Sequence, residues 1–253
     1  MIRLALTAAA LCGALFLPQD PGPVGYDDTP FLPGGQWRVH DKMRPVPPVV
    51  TPGEGAGLGT APPTDAVVLF DGSGFDAWDK EWEAVGDAMQ VRGGDIRTKQ
   101  SFASCQLHIE WRSPVMEDRS SQAKGNSGVF LMDRYEIQVL DSHGNRTYAD
   151  GQAAAMYGYR PPDVNACRPA GEWQSYDILF RAPEFAEDGS IVAPARVTVI
   201  HNGVLVHHDQ AFLGPTAHRT LPTYSAHGPA PIRLQDHGDP VRFRNVWVRP
   251  LAD

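Results

Sequence analysis

Two short stretches of this chain carry the residue types that proton-transfer chemistry needs. Tyr135-Glu136-Ile137-Gln138-Val139-Leu140-Asp141 sets an acid, an amide and a second acid in the pattern E-x-Q-x-x-D. Gln235-Asp236-His237-Gly238 sets an imidazole beside a glycine turn. A histidine at a strand end titrates near neutral pH and can act as a general base, with a carboxyl as its partner. The same residues on a solvated strand face would do nothing. The pattern therefore identifies candidates, and the elements that carry them decide between the two readings.

Those elements read as short strands. Apolar or alternating runs occur at Val67–Phe70, Cys105–Trp111, Val129–Leu131, Tyr135–Leu140 and Tyr176–Phe180, and again at Arg196–His201, Val204–His207, Ile232–Gln235 and Val241–Val248. Turn residues separate them, and no window keeps a 3.6-residue period with caps at both ends. Frequent short strands of this kind predict an all-β fold, a two-sheet antiparallel β-sandwich or jelly roll. His201-Asn202-Gly203-Val204 predicts a tight hairpin, because Asn-Gly accepts the positive φ angles of a type I′ turn.

Successive side chains of a strand point to opposite faces. Tyr135, Ile137 and Val139 should therefore face the core, leaving Glu136 and Gln138 on the open face with Arg134 beside them. Arg233, Gln235 and His237 point away from Ile232 and Leu234. In Cys105–Arg112 the odd positions are apolar, so His108, Glu110 and Arg112 form a third polar row. If all three rows lie on one sheet they line a concave polar surface, the place where a jelly roll would hold a sugar. Asp141 falls in the polar loop that follows its strand, and such loops commonly carry chemistry. Tyr157, in a long loop, and Trp173, in Gly171-Glu172-Trp173-Gln174, are aromatic candidates for the site wall; for Trp173 core packing is an equal alternative.

Composition narrows the partner. The 253 residues carry a net charge of −8, which opposes a nucleic-acid backbone but not a neutral sugar. The mean hydropathy is −0.31. Arg3 followed by the apolar run Leu4–Leu17 reads as a signal peptide over residues 1–18, too short to span a bilayer comfortably, so a secreted or periplasmic location is expected with no membrane span after its removal. Residues 19–64 are rich in Pro and Gly and read as an extended leader on the domain surface, with Phe31 and Trp37 as anchors; residues 65–253 form the folded domain. Cys105 and Cys167 could pair in an oxidising compartment, but two distant cysteines say nothing about geometry.

Five blocks in order then resemble one family. They are Val68-Leu69-Phe70-Asp71-Gly72, Asn126-Ser127-Gly128-Val129-Phe130, the Tyr135–Asp141 stretch, Gly171-Glu172-Trp173-Gln174, and Gln235-Asp236-His237-Gly238 followed by Val241-Arg242-Phe243-Arg244-Asn245. Over about residues 65–251 the chain is similar to the 3-keto-disaccharide hydrolase domain. The long acidic loop Arg181–Ala195 departs from the family's pattern. The resemblance implies a concanavalin-like jelly roll and cleavage of glycosides already oxidised at C3. A C3 ketone acidifies the C2 hydrogen, so one base, one proton donor and hydrogen bonds to the enolate suffice. Sandwich glucanases carry E-x-D-x-x-E instead; here Gln138 replaces the middle acid, which disfavours a two-carboxylate mechanism. On this reading His237 and Glu136 are the catalytic pair, in either order of base and acid. Glu110, Arg134, Gln138, Asp141, Tyr157 and Gln235 bind the sugar. No cofactor is required, although Glu136, Asp141 and His237 could ligate a divalent cation. The competing readings are a non-catalytic carbohydrate-binding module or lectin, and a conventional glycoside hydrolase using Glu136 and Asp141.

Overall fold

The computed structural model describes residues 22–252; the expected signal segment 1–18 lies outside them. Fourteen strands follow in chain order. They are β1 (Val67–Phe70), β2 (Glu83–Val85), β3 (Ala88–Gln90), β4 (Ile96–Phe102), β5 (Cys105–Arg112), β6 (Ser127–Leu131) and β7 (Tyr135–Val139). The rest are β8 (Gln174–Arg181), β9 (Glu184–Phe185), β10 (Ile191–Ala193), β11 (Arg196–His201), β12 (Val204–Ala211), β13 (Ala230–Leu234) and β14 (Arg242–Pro250). The only helical pieces among the described residues are two 3₁₀ turns of three residues.

Twelve of the strands form two antiparallel sheets. An eight-stranded sheet runs β12-β11-β8-β5-β14-β3-β2, with β1 also paired to β14. A four-stranded sheet runs β4-β13-β6-β7. The alternating apolar positions of each sheet meet between them: Leu107, Ile109, Trp111, Tyr176 and Phe243 from the large sheet, and Ile96, Val129, Tyr135, Ile137 and Leu234 from the small one. Burial of each such side chain is worth about 1.5–3 kcal/mol. The Asn202-Gly203 hairpin forms as expected, with φ of 52° and 77° joining β11 to β12. The acidic segment 181–195 makes a small β9–β10 hairpin of its own.

Irregular backbone runs along both outer strands of the small sheet. Beside β4, the Lys99 amide donates to the Ala77 carbonyl and the Asp79 amide to the Arg97 carbonyl, both at 2.8 Å. Beside β7, Ala154 N donates to the Gln138 carbonyl at 2.8 Å and Gln138 N to the Ala155 carbonyl at 3.0 Å. Met156 extends this pairing to Ile137. The loop after β7 is thus held as if it were a fifth strand.

The leader is more deeply integrated than a surface tether. Residues 22–44 fold back on themselves, Tyr26 N donating to the His40 carbonyl and Leu32 N to the Trp37 carbonyl, both at 2.8 Å. Leu32 and Val39 join the hydrophobic core. The expected anchors differ: Phe31 is exposed and Trp37 only half-buried. Residues 53–60 then cross the outer face of the large sheet. A Cβ at Gly57 would lie 2.1 Å from Ser175 Oγ, and its φ is +78°, so only glycine allows this approach. Cys105 and Cys167 are free, buried thiols, and no disulfide joins them.

Candidate active site

The register of the small sheet assembles the site. Glu136 on β7 lies opposite Phe130 on β6, which lies opposite Arg233 on β13. Two residues along, Gln138 lies opposite Gly128, whose carbonyl accepts the Gln235 amide at 3.0 Å. Because same-face residues recur every second position, these make two transverse rows on the face turned away from the core. They floor a pocket of about 500 Å³, and His237 stands at its mouth. Glu136, Gln138, Gln235 and His237 therefore share one hollow. Tyr157 joins them, because the loop pairing along β7 brings its amide to 3.4 Å from the Glu136 carbonyl.

Gly128 is the vacancy into which Glu136 fits. A Cβ there would meet Glu136 Oε1 at 2.5 Å. Glu136 is 5% exposed, and its burial pushes the carboxyl up to about 8; Arg233 opposes that shift and Asp95 adds to it. The group is therefore largely protonated at neutral pH. The Gln138 amide satisfies its neighbours when its nitrogen faces Glu136 Oε1 at 3.0 Å and the Ser127 carbonyl at 2.8 Å. In the opposite orientation that nitrogen reaches Gln122 Oε1 at 3.0 Å. Arg233 lies over the Phe130 ring, 3.5 Å from its centroid, and is held by Asp133 and by Asp95 at 2.8 Å.

Three of the expected binding residues lie elsewhere. Glu110 sits on β5, in the large sheet, under the leader rather than in the pocket. Its carboxylate accepts Gly59 N at 2.6 Å, Arg244 at 2.8 Å and Asn245 at 3.0 Å. Burial raises its pKa, but His108, Asn245, Gly59 and Arg244 together hold it at about 2. Alternation identified the polar face of β5 correctly and could not say which sheet β5 joins. Arg134 turns its guanidinium onto the Met132 carbonyl at 3.0 Å, beside the left-handed Met132 and Asp133. Asp141 pairs with Lys124 at 3.1 Å and pins the 121–126 turn instead of facing a sugar. Trp173 is also outside the pocket, sandwiched with Arg112 and Arg244. Asp236 is a turn residue that accepts Gly94 N and Gly238 N. Among the described residues no group of three or more His, Cys, Asp or Glu is arranged to hold a metal ion, so Glu136, Asp141 and His237 do not form one.

Other pocket residues had no local signal in the sequence. Gln122 and Asn126 come from the turn that Asp141 pins, and Gln122 donates to the Thr147 hydroxyl and the Gly151 carbonyl, both at 2.8 Å. Tyr148 and Tyr157 touch through their hydroxyls at 3.0 Å, and Tyr157 Oη lies 3.0 Å from His218 Nδ1. His218 is placed by Thr216, whose hydroxyl accepts the Glu136 amide at 3.2 Å and donates to the Arg134 carbonyl at 3.0 Å. Tyr26, from the leader, completes the rim. Arg233 is the exception, since alternation along β13 already set it on the same face as Gln235 and His237.

Comparison with known proteins agrees with this architecture. Residues 65–249 match the 3-keto-alpha-glucoside-1,2-lyase-like domain. A 3-keto-disaccharide hydrolase of Bacteroides thetaiotaomicron is 22% identical over 264 aligned positions, covering 75% of this chain and 80% of the relative. The crystal structure of a presumed glycosyl hydrolase from Parabacteroides distasonis superposes with a TM-score of 0.75 at 43% identity, covering 88% of this chain and all of the other. A second such structure from the same organism, 20% identical with a TM-score of 0.53 over 74% of this chain and 94% of the other, shares the fold. With nearly three quarters of its length matched by one domain, the chain belongs to the 3-keto-alpha-glucoside-1,2-lyase-like family.

Proposed function

We propose that this protein cleaves glycosides that already carry a ketone at C3. The observation that carries the reading is that Glu136 is the one carboxyl among the described residues lining the pocket. Ordinary retaining and inverting glycosidases need two, set about 5–5.5 Å or 6.5–9.5 Å apart. Elimination next to a ketone needs only one base, one proton donor and hydrogen bonds to the enolate.

Glu136, neutral at physiological pH, donates a hydrogen bond to the C3 oxygen and stabilises the charge that develops there. Gln138 and Gln235, which cannot ionise, hold the ring hydroxyls. An imidazole at the mouth, His237 or His218, removes the C2 proton. The C1 substituent then departs, and water adds across the new C1–C2 double bond. Export belongs to the same reading: residues 1–18 direct the chain to the periplasm or the medium, and N-terminal sequencing of the mature protein tests this.

The decisive experiment incubates the protein with matched glucosides, oxidised and unoxidised at C3. Turnover of the oxidised member alone is expected. Binding without turnover would instead mark a carbohydrate-binding module, and cleavage of the unoxidised glucoside a conventional hydrolase.

A further inference from the structure

The side wall of the pocket holds a continuous hydrogen-bonded row. Tyr148 Oη lies 3.0 Å from Tyr157 Oη, and Tyr157 Oη lies 3.0 Å from His218 Nδ1. All three residues line the cavity. Among the described residues His218 Nε2 makes no hydrogen bond or ion pair, and the His237 side chain makes none either. Of the two imidazoles at the mouth, only His218 is oriented by a neighbour, as an activated base must be.

We propose that His218, Tyr157 and Tyr148 form a proton relay that takes the C2 proton at one end and delivers a proton to the departing C1 oxygen at the other. The proposal rests on the keto-glycoside reading above. In the substrate complex Tyr148 donates to the glycosidic oxygen, Tyr157 donates to Tyr148, and His218 Nδ1–H donates to Tyr157. His218 Nε2 is then a bare lone pair. The C2–H bond breaks as Nε2 takes the proton, and its electrons form the C2–C3 double bond of the enolate. The enolate electrons return to make C1=C2 and C3=O while the C1–O bond breaks. Each proton in the row moves one place, so the leaving group departs as an alcohol and His218 ends as its other tautomer. Addition of water runs the row backwards: Tyr148 accepts a proton from water and Nε2–H returns one to C2. One row therefore serves elimination and hydration, and no net proton enters or leaves.

The leader supports this row from behind. The His40 ring lies 4.1 Å from that of Tyr148, 4.8 Å from that of Tyr157 and 5.1 Å from that of His218, centroid to centroid. Asp150 fixes His40, accepting the backbone amide at 2.9 Å and meeting Nδ1 at 3.1 Å. His40 adopts φ of +55°, in the left-handed region, and its buried Nε2 has no hydrogen-bond partner among the described residues. Unfavourable backbone and an orphaned buried nitrogen together are what a functional constraint leaves behind. His40 is a positioning residue. The groups around His218 also suit a base: burial first, then His40, Arg219 and His237, lower its pKa.

The leaving group supplies the test. A 3-keto-glucoside with a 4-nitrophenol aglycone departs as a stable phenolate and needs no proton, whereas an alkyl 3-keto-glucoside does. Tyr157→Phe keeps the ring and cuts the row. It should lower kcat on the alkyl substrate at least about 100-fold and on the nitrophenyl substrate less than about 5-fold, whereas His218→Asn should lower both about 100-fold or more. His40→Gln should shift the pH profile of kcat/KM, which a purely structural residue would leave in place. Equal losses on both substrates in Tyr157→Phe, or full turnover by His218→Asn, overturn the relay while leaving the function intact. Wild-type silence on both substrates removes the function and the relay with it.

Discussion

Glu136 offers a prediction that needs no substrate. Its carboxyl has a pKa of about 8 in the folded protein against an ordinary value of 4.5, because burial disfavours the anion. At low pH both folded and unfolded states hold the proton, and the group is neutral to stability. As pH rises above 4.5 the unfolded chain releases its proton and the native chain does not, so stability falls until the native group itself ionises near 8. Each pH unit in that window costs the native state about 1.4 kcal/mol. Glu136→Gln keeps the shape and hydrogen-bonding capacity of the neutral acid and removes the titration. The variant should match the wild type near pH 4.5 and exceed it by about 3 kcal/mol at pH 7, or about 6–12 °C in Tm. Urea denaturation of both proteins at half-unit steps from pH 4.5 to 8.5 measures the gap. Two curves that stay parallel across this range would show that Glu136 is ionised in the native state, and its part as a neutral donor would fall.

The remaining predictions concern packing and thiols. Gly128→Ala puts a methyl 2.5 Å from Glu136 Oε1 and 2.8 Å from the Phe130 ring, so urea denaturation should show a loss of about 1–3 kcal/mol. Because the displaced carboxyl is the proposed donor, kcat/KM on a 3-keto-glucoside should fall about 100-fold, well beyond what the stability loss explains. Cys105 and Cys167 are buried, and burial pushes both thiols up to about 12. Neither should react with a thiol reagent at pH 8 in the native protein, and both should react after denaturation in guanidinium without prior reduction.

The fold was legible in the sequence wherever alternation was strong. β5, β7 and β11 each carry apolar residues at every second position, and their inward faces follow; β14 breaks the period at a bulge, where Asn245 with φ of +45° separates Phe243 from Val246. β4 was not legible: Ile96 and Phe102 are its only apolar residues, and Thr98 is buried with polar neighbours on both sides. In the site, the floor could be read and the walls could not. Glu136 and Gln138 lie on β7, and Gln235 and His237 follow directly from the end of β13, so the two-residue period of those strands constrains where all four point. Tyr148 and His218 reach the pocket from loops, through contacts such as that of Thr216 with the Arg134 carbonyl, 82 residues away in the chain. Glu110 was not legible as a residue outside the pocket, since local pattern assigns a side chain to a face of its strand but never a strand to its sheet. The buried part of the leader is illegible for a related reason: Leu32 and Val39 are isolated apolar residues in a Pro/Gly-rich segment, and only tertiary contact gives them a core to enter.

The pairing of residues 154–157 along β7, matched by residues 77–79 along β4, has a bearing on self-association. An uncapped outer strand is a template for adding strands from other molecules, the first step towards polymerisation. Here both rims of the small sheet are closed by the chain's own irregular backbone. The cap on β7 is also the segment that carries Tyr157. Selection against fibre formation and selection on the proposed proton path therefore act on the same few residues, and changes that loosen this cap should bring insolubility and loss of turnover together.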